Sequence, residues 1–163
     1  MNAKKANSCC AQERWGGETD PDVPGECLAG LVRLNPDRSI PFVAGFLSSG
    51  NSVVSEAAAL ALGASHHVDA QRVLLDAWER AVTTEEKKRL LLPIGLLRRD
   101  EAFDLLLSVV RDHHIDLATA AIEALSVYGD NEEQRLRIER QVTSRTDPAL
   151  RAAYTSAFAD RTI

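Results

Sequence analysis

The stretch VVSEAAALALGAS, residues 53–65, decides how this chain is read. Its five alanines, two leucines and single glycine carry almost no side-chain chemistry, yet Val54, Ala58 and Leu62 stand at i, i+4 and i+8. That spacing lays them along one stripe of an α-helix. A stripe of such small residues allows a neighbouring helix to come close, because helix spacing follows the side chains at the contact.

The same pattern recurs along the chain. VPGECLAGL (23–31) places Val23, Cys27 and Leu31 in those slots, LATAAIEAL (117–125) places Leu117, Ala121 and Leu125, and LRAAYTSAF (150–158) places Leu150, Tyr154 and Phe158. A weaker copy puts Leu92 and Leu96 in the later slots and Lys88 in the first. The anchors at 23, 54, 88, 117 and 150 are 31, 34, 29 and 33 residues apart. Between them lie second amphipathic segments at 39–47, 68–82, 100–112 and 131–142. The unit is therefore helix A, turn, helix B. Neither helix buries its stripe alone, so the units must stack.

Local punctuation follows the same division. Thr83 with Glu86 predicts a capping box for the third A helix, and Asp130 with Glu133 predicts one for the fourth B helix. Asp147 and Pro148 read as N-cap and first helical residue. Gly63 and Gly129 are expected to stop A helices. Within TTEEKKRLLLPIGLLRR (83–99), the run from Leu90 to Leu97 is apolar on nearly every side, as suits a helix packed on both flanks. Pro93 is expected to kink it. Glu85 is expected to pair with Lys88 or Arg89 on an exposed first turn. No strand-period segment of useful length occurs, so the fold class is all-α.

Composition agrees. In 163 residues, 45% are hydrophobic but only 5% aromatic, a core of Ala, Leu and Val that favours close-packed helices over a β-sandwich. The length suits one domain, placed at 20–163, with residues 1–19 as an N-terminal tail holding Cys9, Cys10 and Trp15. The net charge of −5 argues against coating phosphate backbones, so nucleic acid is not the expected partner. Three cysteines, two of them adjacent, make no disulfide framework and point to a reducing cytoplasm. No apolar segment follows Lys4 and Lys5, and no run is long enough to span a bilayer, so neither signal peptide nor membrane partner is expected.

At the C-terminal end, Leu150, Ala153, Tyr154, Ala157 and Phe158 form the expected buried stripe, with Arg151, Thr155, Ser156 and Ala159 on the reverse, as a terminal cap requires. At the other end, CLAGLVRL (27–34) offers more apolar surface than one neighbour covers.

With these residues in place, the chain resembles the HEAT-repeat family, and within it the short bacterial HEAT-like, or phycobilin-lyase-type, repeats. NSVVSEAAALALG (51–63), TDPALRAAYTSAF (146–158) and the whole unit DPDVPGECLAGLVRLNPDRSIPFVAGFL (20–47) carry the likeness. It spans about residues 20–160, in units shorter than the roughly 40–47 residues usual for HEAT and armadillo arrays. The resemblance implies a right-handed α-solenoid of about four and a half antiparallel helix pairs whose B helices line a concave face. Di-iron HEAT hydroxylases carry His-Glu where this chain has Ser55-Glu56, with Gly25-Glu26 and Thr119-Ala120 near the same slot in other copies, so no ligand set of that kind survives. No residue identifies a bilin site.

The remaining candidates are weighed on their residues. His66 and His67 fall in an A–B turn and His113 and His114 in a link between units, on opposite edges, so they are read as turn histidines sharing no metal. Neither GxxxxGK nor GxGxxG occurs, and no Ser, Cys or Lys nucleophile stands beside a base in a glycine-rich turn, so no catalytic residue, cofactor or metal is assigned. Cys27 and Trp78 read as core. Helical spacing puts Pro41, Gly45 and Ser48 outward on the first B helix, Arg72, Asp76, Glu79 and Arg80 on the second, Glu101, Asp104, Ser108 and Arg111 on the third, and Arg137, Arg140 and Ser144, with Arg145 beyond, on the fourth. Residues 61–130 hold 8 basic and 12 acidic side chains, residues 131–163 hold 6 and 5. Patterned charge of this kind suits a protein or peptide partner, and Arg72, Asp76, Arg80, Glu101, Asp104, Arg111, Arg137 and Arg140 are its expected contacts. The chain thus reads as a non-catalytic adaptor. The alternative is an accessory subunit of a cofactor-handling enzyme, similar to a chromophore lyase.

Overall fold

The structure, a computed structural model, describes residues 22–159, with side chains from residue 25. The expected tail, with Cys9, Cys10 and Trp15, lies outside the described residues, as does the side chain of Val23. All regular elements among the described residues are helical: α1 (Asp22–Leu34), α2 (Pro36–Ala44) extended by a 3₁₀ turn (Gly45–Ser48), α3 (Ser52–Ala64), α4 (Val68–Arg80), α5 (Thr84–Leu96), α6 (Asp100–Asp112), α7 (Ile115–Leu125) followed by a 3₁₀ turn (Ser126–Tyr128), α8 (Glu132–Ser144) and α9 (Pro148–Phe158). The odd-numbered helices are the A segments and the even-numbered ones the B segments. Among the described residues no helix is long and apolar enough to cross a membrane.

The A helices form one continuous layer, α1 on α3, α3 on α5, α5 on α7 and α7 on α9, and these are broad contacts. Successive B helices touch one another far less, each lying mainly on A helices. The small residues explain the difference. Ala57, Ala58, Ala59 and Ala61 of α3 and Ala118, Ala121 and Ala124 of α7 are all buried, so these backbones meet at short range.

Gly63 is part of that layer and does not stop α3, which runs through it to Ala64. A Cβ on Gly63 would lie 2.3 Å from the Pro93 carbonyl oxygen of α5, and one on Gly95 would lie 2.8 Å from the Ala124 carbonyl oxygen of α7. Both glycines are required by close approach. No glycine among the described residues has positive φ; the left-handed positions after α3 and α5 belong to His66 (φ 53°) and Arg98 (φ 52°), an uncommon conformation for side-chain-bearing residues. Gly129 is likewise right-handed, at the end of the second 3₁₀ turn.

The glycines and the left-handed residues are each 32 residues apart, which corrects the register of the third copy. Glu86, Leu90 and Ile94 match Val54, Ala58 and Leu62; Leu90 and Ile94 are buried, whereas Leu92 is exposed and Lys88 and Leu96 half-buried. The first copy also slips by one: Leu28 and Val32 are buried, while Cys27 and Leu31 are only half-covered. The other two stripes hold. Leu117, Ala121, Leu125, Leu150 and Phe158 are buried and Tyr154 is half-buried, with Arg151, Thr155, Ser156 and Ala159 exposed on the reverse of α9.

Capping fixes most of the helix starts. Thr83 and Glu86 form the expected box, Thr83 Oγ1 accepting from the Glu86 amide at 3.2 Å and the Glu86 carboxylate from the Thr83 amide at 3.0 Å. Asp147 Oδ1 accepts from the Ala149 amide at 3.0 Å. For α8 the cap is Asn131, not Asp130: its Oδ1 accepts from the Gln134 amide at 3.2 Å. Asn35 and Asn51 cap α2 and α3. Each such cap contributes roughly 1 kcal/mol. Pro93 sits inside an uninterrupted α5.

Hydrogen bonds also tie unit to unit at the A–B turns. Arg99 Nη2 donates to the His66 carbonyl at 3.0 Å, and the Tyr128 hydroxyl donates to the Arg99 carbonyl at 3.4 Å. The turns of the second, third and fourth units are thereby linked in series.

Candidate functional site

The loosely spaced B helices leave a hollow between the first and second of them. α2 gives way to its 3₁₀ turn at Gly45, while α4 continues in regular helix to Arg80. Between them opens a groove of about 440 Å³ that reaches down to α3 and the first turns of α5. Alanines make the space: Ala44, Ala59, Ala77 and Ala81 line it, with Leu47, Val73 and Leu90 completing its apolar surface. Ser55 Oγ, also in the lining, donates to the Leu47 carbonyl at 2.8 Å and ties the 3₁₀ turn to α3.

Four charged residues surround the groove, two acids and two bases. Asp76 and Arg80 form an i, i+4 pair at 3.6 Å, and Arg80 Nε donates to the Asp76 carbonyl at 3.1 Å. The Glu86 carboxylate accepts from the Val82 and Thr83 amides at 3.0 Å each. Those bonds, first from the Thr83 backbone and side chain and then from Val82, hold its carboxyl below the ordinary value of 4.5. Arg89 Nε makes a long 3.4 Å bond to the Glu85 carbonyl, and its positive charge adds to the forces holding the Glu86 carboxyl low.

Of the eight expected partner contacts, only Asp76 and Arg80 line this groove. All eight are exposed, but several hold the stack together. Arg137 Nη2 donates to Asp104 at 2.7 Å and stacks its guanidinium 4.9 Å from the Phe103 ring centre, joining α8 to α6. Glu101 accepts a hydrogen bond from buried Gln71, joining α6 to α4. Arg72 pairs with Asp69 at 3.4 Å and Arg111 with Asp112 at 2.8 Å, each within its own helix. Arg140 stands in a shallow hollow with Glu139, Thr143 and Ser144. Ser108 and Arg145, expected outward, are half-buried; Arg145 Nη1 donates to the Val110 and His113 carbonyls at 2.6 and 2.9 Å and closes the end of α6. Sequence reasoning missed Glu86, Arg89 and Leu90 as groove residues, because the A helix α5 contributes to a hollow assigned to B helices alone, and it missed Ala77 because that residue lies inward of the exposed positions on α4.

The histidines stay in the turns. His67 caps α4, its Nδ1 accepting from the Asp69 amide at 3.3 Å, and His114 Nδ1 lies 3.4 Å from Asp116. The His113 ring meets Trp78 edge-on at 6.1 Å. Trp78 itself is buried beside Leu74, as expected, whereas Cys27 is only half-buried. One grouping was not foreseen: donor atoms of Asp37, His67 and Asp69 lie within 4.8 Å of one another. A metal there conflicts with the cap. Ligation through Nδ1 displaces the Asp69 amide, and ligation through Nε2 of a neutral ring puts the proton on Nδ1, which then cannot accept. Asp69 is moreover paired with Arg72, and both acids lie in first helical turns, where carboxylates are ordinary.

No protein-family model matches the chain, and no curated protein does.

Proposed function

We propose that the chain is a HEAT-like α-solenoid of about four and a half repeats, right-handed as in that family, serving as a non-catalytic adaptor that binds a protein or peptide on its B-helix side. The series of A-on-A contacts, the 32-residue recurrence of Gly63 at Gly95 and of His66 at Arg98, and the capped starts of successive helices support the repeat reading. The observation that carries the functional reading is the groove between α2 and α4, lined by alanines and serines together with charged residues of both signs. Pockets of roughly 300–1,000 Å³ with apolar walls and a few placed polar groups are what ligands and partner side chains use. Because the A layer is the closely packed one, recognition falls in the gap between B helices and not along an unbroken B-helix surface.

Pull-down from the native host with the full chain tests this. A partner retained by the wild type, and lost on filling the groove by Ala77→Phe, is the expected result. Retention unchanged in Ala77→Phe but abolished by Arg140→Glu would move the site to α8. A partner indifferent to both changes would remove the B-helix side from the account.

A further inference from the structure

We infer that two copies of this chain pair through the N-terminal end of the helical array, α1 against α1 about a two-fold axis. The two ends of the A layer differ. α3, α5 and α7 each lie between two A helices, whereas α1 and α9 each meet one among the described residues. α9 closes its end with exposed Arg151, Thr155 and Ser156, the polar finish that a terminal repeat needs. α1 has no such finish. Gly25 faces α3, its Cβ position 4.0 Å from the Ala57 Cβ. Helical spacing therefore turns Cys27, Gly30 and Leu34 to the free side, with Leu31 beside them. Leu34 is 81% exposed. On α2, exposed Phe42 meets half-buried Phe46 edge-on at 5.2 Å, turned away from the groove residue Ala44. The result is an apolar end face that no further helix covers among the described residues.

Composition and register select a second copy as the occupant. Residues 1–21 contain no Leu, Ile, Val or Phe and a single Trp, too little apolar side chain to fill such a face. The face itself is self-complementary, as a two-fold contact requires. In an antiparallel crossing centred between Gly30 and Leu31, Leu34 falls opposite the partner's Cys27 and Leu31 opposite the partner's Gly30, large against small. Charge follows the same register. Glu26 and Arg33 are exposed on one rim of that face, and neither is paired among the described residues. Seven residues separate them, about 10 Å along the helix, too far for a pair within one copy. The crossing brings each Glu26 to within about 3 Å, along the axis, of the partner's Arg33. Symmetry makes that complementary contact twice.

Sedimentation equilibrium of the full chain over a dilution series tests this. The wild type is expected to dimerise with a dissociation constant on the order of micromolar. Leu34→Glu, at an exposed position where circular dichroism should show the fold intact, is expected to weaken pairing at least about tenfold. Glu26→Arg and Arg33→Glu are each expected to weaken it at least about fivefold, the margin shrinking as salt rises. An equimolar mixture of those two variants is expected to recover wild-type pairing, because each copy then carries the other's complement. A chain that is monomeric at every concentration overturns the inference. So does a dimer indifferent to Leu34→Glu, or a pair of reversals that the mixture does not rescue. A dimer dissolved by Ala77→Phe would place the second copy in the α2–α4 groove and overturn the end-face assignment. In a monomer, a rise in iodide quenching on Leu34→Glu that Trp15→Phe removes would assign the face to the chain preceding Asp22, against the inference.

Discussion

Gly63 of α3 lies so close to Pro93 of α5 that an added Cβ would stand 2.3 Å from the Pro93 carbonyl oxygen, 2.9 Å from its carbonyl carbon and 2.9 Å from its Cα. All three are backbone atoms, so no side chain can turn aside. Gly63→Ala is expected to destabilise the fold by about 1–3 kcal/mol through overpacking, despite a helix-propensity gain of up to about 1 kcal/mol. Gly30 of α1 is the internal control, since nothing lies within 4 Å of its Cβ position. Gly30→Ala is expected to stabilise by roughly 0.5–1 kcal/mol. Urea unfolding of both variants checks the contrast, and a stable Gly63→Ala would refute close approach in the A layer.

The Asp104–Arg137 bond joins α6 to α8 at 2.7 Å with both side chains largely exposed. A double-mutant cycle with Asp104→Ala and Arg137→Ala is expected to give a coupling of about 0.2–1 kcal/mol. Added salt should reduce it, leaving the cost of removing the Arg137 stack on Phe103. A cycle with no coupling at low salt would return both residues to the pool of free partner contacts.

Tyr128 tests burial at the fourth A–B turn. Its phenol is pushed up to about 12, first by removal from water. A neutral form favoured by folding contributes stability that is complete below the ordinary value of 10 and lost as pH rises through about 12. Absorbance near 295 nm should therefore show late titration, and Tyr128→Phe should flatten the alkaline loss of stability. Tyr154, the second of two tyrosines, is also raised by burial, so the variant is needed to assign the signal.

Glu86 gives the opposite sign. Its carboxyl is held below 4.5 by the capping box, so its contribution is present above that value and disappears as pH falls through the lowered folded value. Glu86→Gln is expected to shallow the acid limb of stability measured by circular dichroism. An unchanged limb would remove the box as a pH-linked element.

Much of the architecture was legible in the sequence, because helix periodicity and caps are local. The 100–112 segment coincides with α6, and Thr83 and Asp147 cap as their side chains require. What escaped depends on the neighbours. Gly63 resembles a helix stop until Pro93 is seen against it. Leu92 looked like a core residue because a 34-residue interval set the third register, whereas the packed one repeats at 32. Glu101 and Arg137 read as free charges, since their partners Gln71 and Asp104 lie one unit away. The groove was invisible for the same reason: its alanines come from three helices, and only the unequal spacing of A and B layers turns them into a hollow.

The most direct test of the adaptor account is site-specific photocrosslinking in host extract, with benzoylphenylalanine placed at Ser48 on the groove and, separately, at Thr155 on the reverse of α9. The account predicts a discrete crosslinked partner from Ser48, suppressed by Ala77→Phe, and none from Thr155. A partner captured equally from both positions, or from Thr155 alone, would contradict it.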